Sequence, residues 1–489
     1  VAVGAVVSSG EVERTFEVAS VAVLAALDPG EVLGREVPVD PEERLLEAVY
    51  HDTADLALHA EGVTMRRRTG GPDEGWHVKL PPVGDRREEI QAPLAPEAPV
   101  ELLALVRAFT RGRPVQPVAR LRTHRRAWRA VTGGGGLVAE LVVDAVTACR
   151  SGDREELAWT EIEVELGPAA PAGFLDVVTE RLAARGIHRS ATPSKVARVL
   201  GERPVSVLPA PDGSAAAVVL EYLRGQARSL RRWDPLVRLD REDAVHQMRV
   251  AARRIRSVLQ SFRRVLHRAR TRTLTGELRW LAGELAPARD TEVMHARLDE
   301  LLAEVPHELV LGPVHAELAA AFARRAAAAR DRALAALDGT RYLALLAALD
   351  ALLAEPPLAR RALDDADHVL PGEVARARRR VDAAIAAARG IAPGAELDTD
   401  LHEARKAAKR LRYASEAARP VLDDSARKGI RRMAARQEQL GVHQDTVVTR
   451  ATLLELAAGE VAHGFTLGVM YAAEVALARR TEAAVAAGA

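Results

Sequence analysis

The sequence predicts a two-part chain: an antiparallel β-rich part over residues 1–200, then an all-α part built from two copies of one unit. Three observations predict it. Up to about residue 200, apolar and polar residues alternate with period two in short segments separated by turn formers. After a Pro-containing stretch, Ala, Leu, Arg and Glu dominate and the apolar period becomes helical. Within that second part, two groups of residues recur at a nearly constant offset.

In chain order, Glu11-Val12-Glu13 is the first strand-like segment, Trp76-His77-Val78-Lys79-Leu80 another, and Glu161 to Leu166 the clearest. Thr69-Gly70-Gly71-Pro72-Asp73 and Gly133 to Gly136 are turn signals that make neighbouring segments hairpins. Helical intervals are expected around Pro99 to Thr110 and Ala172 to Arg185. Pro204, Pro209 and Pro211 mark residues 201–214 as a linker, and residues 215–489 form the helical part. The 489 residues suffice for two or three domains, and with 3% aromatics their cores must rely on Leu, Val and Ala. Net charge is only +1, yet acidic and basic residues are sorted into separate stretches. Cys149 is the only cysteine, which excludes an intrachain disulfide and a cysteine zinc site. The apolar runs are too short for a membrane span and no signal-peptide pattern opens the chain, so a cytoplasmic location is expected.

The repeat carries a distinctive charge pattern. His246, Arg249, Arg253 and Arg256 recur 156 residues later as His402, Arg405, Lys409 and Arg412. Leu285, Asp290, Thr291, Val293 and Leu298 recur 155 residues later as Leu440, Asp445, Thr446, Val448 and Leu453. On a helix, offsets of 0, 3, 7 and 10 fall within an arc of roughly 80°. Each copy therefore shows a cationic stripe, opposite an apolar one that in the first copy is Met248, Ala251, Ile255 and Leu259. Arg254, Arg410 and Lys406 widen the charged face. Like charges one turn apart repel, and no acid occupies the four positions in either copy, so the stripe points to a multivalent anion. Nucleic-acid proteins usually add stacking aromatics, and Tyr413 is the only aromatic on the second helix, so a bare phosphate chain fits better. Asp290 and Asp445 read as carboxylates that orient basic neighbours or cap helices.

The segments His246-Gln-Met-Arg-Val-Ala-Ala-Arg-Arg-Ile-Arg256 and His402-Glu-Ala-Arg-Lys-Ala-Ala-Lys-Arg-Leu-Arg-Tyr413 resemble the CHAD family of conserved-histidine α-helical domains. The resemblance implies two pseudo-symmetric four-helix bundles whose basic helices face a shared groove that binds inorganic polyphosphate. His246 and His402 would join the cationic lining.

In the first part, Glu11 with Glu13, and Glu161 with Glu163 and Glu165, gather carboxylates on single strand faces. Such carboxylates repel unless a cation lies between them, and Mg²⁺ or Mn²⁺ is the natural one. Arg66 with Arg68, Arg120 with Arg122, and His77 with Lys79 are cationic pairs of the same kind. Faces of both signs make sense inside a closed barrel holding phosphate and metal. Glu11-Val-Glu13-Arg-Thr15, Tyr50-His-Asp-Thr53, Thr64-Met-Arg-Arg-Arg-Thr69, Trp76-His-Val-Lys79-Leu, Glu161-Ile-Glu163-Val-Glu165 and Ser194-Lys195-Val-Ala-Arg198 resemble the CYTH family, the triphosphate tunnel metalloenzymes. That resemblance implies an eight-stranded antiparallel tunnel in which Glu11, Glu13, Glu161 and Glu163 bind metal, with Glu140 and Asp144 as further acids. Arg66, Arg68, Lys79, Arg120, Arg122 and Lys195 would hold phosphates, and Glu11, Glu13 and Lys79 would serve catalysis.

The family signature continues Glu-x-Glu-x-Lys, and here Thr15 stands at the lysine position. Arg14 faces the other side of the strand and cannot replace it, whereas Arg125 or Arg126 could supply the charge. The expected function is therefore polyphosphate binding with metal-dependent hydrolysis of triphosphate or polyphosphate. The alternatives are a polyphosphate-binding protein with a degenerate tunnel, and a nucleic-acid-binding module. Association with polyphosphate granules accompanies the first reading.

Overall fold

A computed structural model describes residues 6–18, 24, 27–38, 40–82, 85–202, 209–388, 391, 394–459 and 461–486, with the side chains of 395, 424–440 and 484–486 left aside. The chain divides into two compact units, residues 1–205 and 206–489. Residues 203–208 of the expected linker lie outside the described residues.

In the first unit, β1 (Val7–Glu17), β2 (Glu42–Asp52), β3 (Thr64–Thr69), β4 (Gly75–Lys79), β5 (Arg86–Ala92), β6 (Gln116–Val131), β7 (Leu137–Arg150) and β8 (Leu157–Leu166) form one antiparallel sheet. Its order is β5-β4-β3-β2-β6-β7-β8-β1. The sheet closes because β1 has two partners, pairing with β5 over Val7 to Val12 and with β8 over Glu13 to Glu17. A two-residue strand, β9 (His188–Arg189), adds to the second half of β1. Gly70 sits at φ 81° in the β3–β4 turn, where a Cβ would run into the Leu45 carbonyl.

Closure gives each strand an inner and an outer face. Phe16, Trp128, Leu141, Val143, Ile162 and Val164 form the apolar core on the outer face. Helices α1 (Pro29–Leu33) and α4 (Phe174–Ala183) cover it, through Val32, Leu33, Phe174, Val178 and Leu182. Two further helices, α2 (Ala57–Glu61) and α3 (Val100–Thr110), pack on each other. Helix α5 (Lys195–Leu200) is capped by the Ser194 hydroxyl, which accepts from Ala197 N–H. Its Val196 and Leu200 pack with Leu121, Val146 and Ala148, which share the alternating set of Arg125 and Asp144, so α5 plugs one end of the interior.

The second unit is all-α, with α6 (Ala215–Arg238), α7 (Ala244–Ser261), α8 (Arg268–Glu284), α9 (Ala286–Glu304), α10 (Val314–Asp338), α11 (Thr340–Ala354), α12 (Ala366–Ala388), α13 (Ala395–Ala417), α14 (Asp424–Gly459) and α15 (Gly464–Ala486). Counting α8 and α9 as one rod, these form two sets of four consecutive rods, α6 to α10 and α12 to α15, with α11 between them. In the second set, α14 runs unbroken; in the first, its counterpart is split into α8 and α9, where Pro287 occupies the place of Val442 and removes a backbone donor. The stripe Met248, Ala251, Ile255 and Leu259 is buried, and α7 packs directly on α13. Leu298, Leu302 and Phe322 of the first set share a core with Leu453, Leu456 and Met470 of the second. No described helix is long and apolar enough to cross a membrane.

Candidate functional site

Inside the barrel two ion clusters form, each a buried lysine ringed by carboxylates. In the first, Lys79 Nζ on β4 lies 2.6 Å from Glu11, 3.5 Å from Glu13 and 3.7 Å from Glu89. Glu89, on β5, also contacts His77 Nδ1 at 2.9 Å and Arg66 at 3.5 Å. Burial, together with a hydrogen bond shared with Glu89, pushes the Glu11 carboxyl up to about 8. Burial alone would lower Lys79, but Glu13, Glu89 and Glu11 hold it above its ordinary value. Arg66 and Arg68 share the inner face of β3. Arg66 donates to the Tyr50 hydroxyl at 3.3 Å, and Arg68 pairs with Asp73. Burial and the adjacent Arg66 depress the Arg68 guanidinium to about 9, a sign of cations crowded away from water.

The second cluster is set by strand register. Asp144 pairs with Glu161 and with Arg125, and Thr15 pairs with Glu163, so these positions lie side by side on β6, β7, β8 and β1. Helix α5 then delivers Lys195 Nζ to 2.5 Å from Glu163, 2.7 Å from Glu161 and 3.0 Å from Asp144. Arg125 donates two hydrogen bonds to Asp144, at 2.8 and 2.6 Å, and a third to Glu163 at 2.9 Å. Asp144, Glu161 and Glu163 each offer one oxygen, all within 4.8 Å of one another. Three hard oxygen donors at that spacing fit Mg²⁺ or Mn²⁺. Glu165, further along the same face of β8, is raised by burial to about 7.

The structure brings Glu11, Glu13 and Lys79 together, and separately Glu161, Glu163 and Lys195; the two acid pairs do not form one cluster. Arg120 and Arg122 do not reach the interior. Both are exposed, Arg122 pairing with Glu47 at 3.2 Å, because odd-numbered residues of β6 around Arg125 face inward and even-numbered ones outward. Arg125 is the inward cation of that strand, while Arg126 stacks over Trp128. Arg14 faces outward, as strand alternation requires, and binds Asp85 and Asp176. Glu140 accepts from the half-exposed Arg129. Glu89 was missed from sequence because it adjoins Glu88 and shows no period-two partner.

In the helical unit, α7 and α13 bring both cationic stripes to one place. Arg253 of α7 approaches the Tyr413 hydroxyl of α13 at 3.3 Å, and Arg254 bonds Glu416 of α13 at 3.0 Å and lies over the Tyr413 ring. Burial, then Arg405, Arg253 and Arg249, push Lys409 down to about 8. Burial and the cations Arg279, Arg253 and Arg410 likewise lower Arg256. Arg249 binds Asp290 at 2.9 Å and Arg405 approaches Asp445 at 3.6 Å, so the repeated aspartates meet equivalent basic residues in both copies. His402 Nδ1 lies 2.6 Å from Gln444. His246 is half-buried, and burial together with Arg289 lowers it. Lys406 turns to Glu403, and Arg412 to Glu416.

Comparison with known proteins agrees with this division. The CYTH domain model matches residues 11–200 and the CHAD domain model residues 221–454. Uncharacterised proteins from two strains of Mycobacterium tuberculosis are 38% identical over 492 residues, covering 96% of this chain and 94% of theirs. PptA from Streptomyces chartreusis is 25% identical, covering 56% of this chain and 98% of that one, with a TM-score of 0.48. The CHAD domain from the plant Ricinus communis is 30% identical, covering 58% and 98%, with a TM-score of 0.45.

Proposed function

We propose, from the premise that this chain belongs to the family joining a CYTH domain to a CHAD domain, that it binds linear polyphosphate through its helical unit and hydrolyses triphosphate, or the end of a longer chain, inside the barrel. The observation that carries the reading is the charged interior of the closed barrel. Arg66, Arg68, Lys79, Arg125 and Lys195 converge there with buried carboxylates. Such cations are already dehydrated and fixed, so an entering phosphate chain exchanges places with protein carboxylates rather than with water. Arg66 and Arg68 stand two residues apart on one strand face, a spacing that holds neighbouring phosphates in register. Asp144, Glu161 and Glu163 would hold Mg²⁺ or Mn²⁺, which when bound supplies charge neutralisation at phosphoryl oxygens.

In the helical unit, the cross-repeat crowding of Arg249, Arg253, Arg405 and Lys409 supports polyphosphate as ligand. Tyr413 is buried and engaged by two arginines, so its ring is not offered to a base for stacking. A second reading, a tunnel that binds without turnover, is favoured by Thr15 and by Lys195 standing among the three carboxylates.

Phosphate release from tripolyphosphate and long polyphosphate, with and without Mg²⁺ or Mn²⁺, decides between them when paired with direct binding of the long chain. Metal-dependent release that Glu163→Gln abolishes supports hydrolysis. Tight, salt-sensitive binding without release selects the second reading. A chain that binds no polyphosphate, or that single-stranded nucleic acid strips from it efficiently, overturns the assignment of the helical unit.

A further inference from the structure

A cavity of about 1080 Å³ opens where α7 ends and α8 begins, beyond the residues of the repeated motif. Arg264, His267, Arg268, Arg272 and Arg360 line it together with Arg410 from α13. Among its described lining residues there is no carboxylate and, His267 aside, no ring. Helix α8 starts at its wall, with Arg268 as first residue and no side-chain cap at His267, so the positive end of a 17-residue helix adds to the field. Burial and the nearby Arg268 and Arg380 lower the neighbouring Arg263, which also lines the space, while Glu373 acts the other way and pairs with Arg264 at 3.6 Å.

The internal repeat makes this cavity informative, because the second copy keeps only part of its charge, with Arg419 and Lys428 at the places of Arg263 and Arg272. At the 156-residue offset, Gln260, His267 and Arg268 correspond to Glu416, Asp423 and Asp424, and Arg264 corresponds to Pro420. Arg254 and Arg410 are themselves equivalents. Arg254 is tied to Glu416 at 3.0 Å, whereas Arg410 makes no ion pair with any described residue. At one end of the pseudo-symmetric basic face Arg254 is therefore neutralised by Glu416, and the other end continues into an open basic cavity. Burial, the first cause, and the cation Arg380 lower the Arg410 guanidinium, while Glu403 acts the other way.

We propose that this cavity is a second polyphosphate-binding segment, contiguous with the motif face through Arg410, which captures the part of a chain that overhangs it and gives the bound chain a preferred end. The proposal rests on the polyphosphate reading of the helical unit. Its chemistry is that of a bare oligophosphate: cations from three elements, a helix N-terminus, and no surface for a base.

Two variants of the full chain test it. His267→Asp/Arg268→Asp writes the second copy's residues into the first, and Arg264→Gln/Arg272→Gln/Arg360→Gln removes charge without adding any. Binding of long polyphosphate is measured by titration calorimetry over a salt series, with helical circular dichroism and the unfolding transition of the second unit as a check that it is folded. Affinity for the long chain is expected to fall at least about tenfold in both variants. The slope of log K against log salt should become shallower by about two, since each lost phosphate contact removes roughly 0.7. Chains just long enough for the motif face should lose less than longer ones. Unchanged affinity, slope and length dependence overturn the proposal while the motif face stands. If the unmodified protein binds no polyphosphate, the underlying reading fails with it.

Discussion

Lys409 offers a direct reading of how the basic face works. Burial and the cations Arg405, Arg253 and Arg249 hold its ammonium at about 8, with Asp445 the one acid among the groups acting on it. An anion chain laid across these side chains supplies the missing counter-charge and returns the lysine towards its ordinary value of about 10.5. The sign follows from linkage. The bound state keeps a proton that the free state loses above pH 8, so affinity is greatest below 8 and falls as pH rises through it. With free and bound values of about 8 and 10.5, the expected loss between pH 7 and pH 9 is about tenfold. His246 does not compete in this window, because burial with Arg289 puts it below the ordinary histidine value of about 6.5. The assay is long-polyphosphate binding at fixed ionic strength from pH 7 to 9, for the wild-type protein and Lys409→Met. The variant should bind more weakly at pH 7 and lack the tenfold component, leaving only whatever slope the barrel contributes. Identical pH slopes in the two proteins would refute the argument, because Lys409 would then not face the chain.

Three other perturbations separate parts of the structure. Arg66→Ala should weaken tripolyphosphate binding by about tenfold to a hundredfold, the worth of one charged hydrogen-bonding group, while Arg120→Ala on the outer face should leave it within about twofold, both read by calorimetry. Asp144→Asn leaves Arg125 and Lys195 with Glu163 as their shared carboxylate, and denaturant unfolding of the first unit should show a loss of about 1–3 kcal/mol. Leu298→Ala, at a fully buried position in the core shared by both helical sets, should cost the second unit about 2–5 kcal/mol in the same experiment without moving the barrel transition.

Much of the fold is legible because its periods are strong. The four cationic positions of each copy fix a helical face, and the opposite stripe from Met248 to Leu259 is buried accordingly. The inner cations of the barrel were less legible. In β6, arginines occupy both faces, at 120, 122 and 126 on one and at 125 and 129 on the other, so charge alone cannot tell inside from outside. The deciding signal was Trp128 with Ala130, apolar residues on the outer face beneath α1 and α4, which place every even-numbered neighbour outside. Glu89 carried no such signal. Its place opposite Lys79 comes from the β4–β5 register, and its place beside Glu11 from the closure of β5 against β1.

The two units balance their cationic side chains by different means, and this bears on the place of Thr15. In the barrel every inner cation named above has a protein carboxylate or hydroxyl in reach, so the empty interior is close to neutral and its side chains are fixed before a ligand arrives. A lysine at position 15 would stand opposite Glu163, which Arg125 and Lys195 already engage. Replacing it with threonine removes a third cation from a carboxylate that has two, so the charge at that point of the wall is kept by residues from β6 and α5. On the helices the balance is left open: Lys409, Arg256 and Arg410 are all lowered by burial and by other cations, a state that costs stability in the free protein and is relieved by a polyanion. A neutral, rigid interior suits discrimination of a short phosphate chain at fixed spacing. An unneutralised, elongated face suits retention of a long chain of no fixed length, which is the division of labour the proposed function requires.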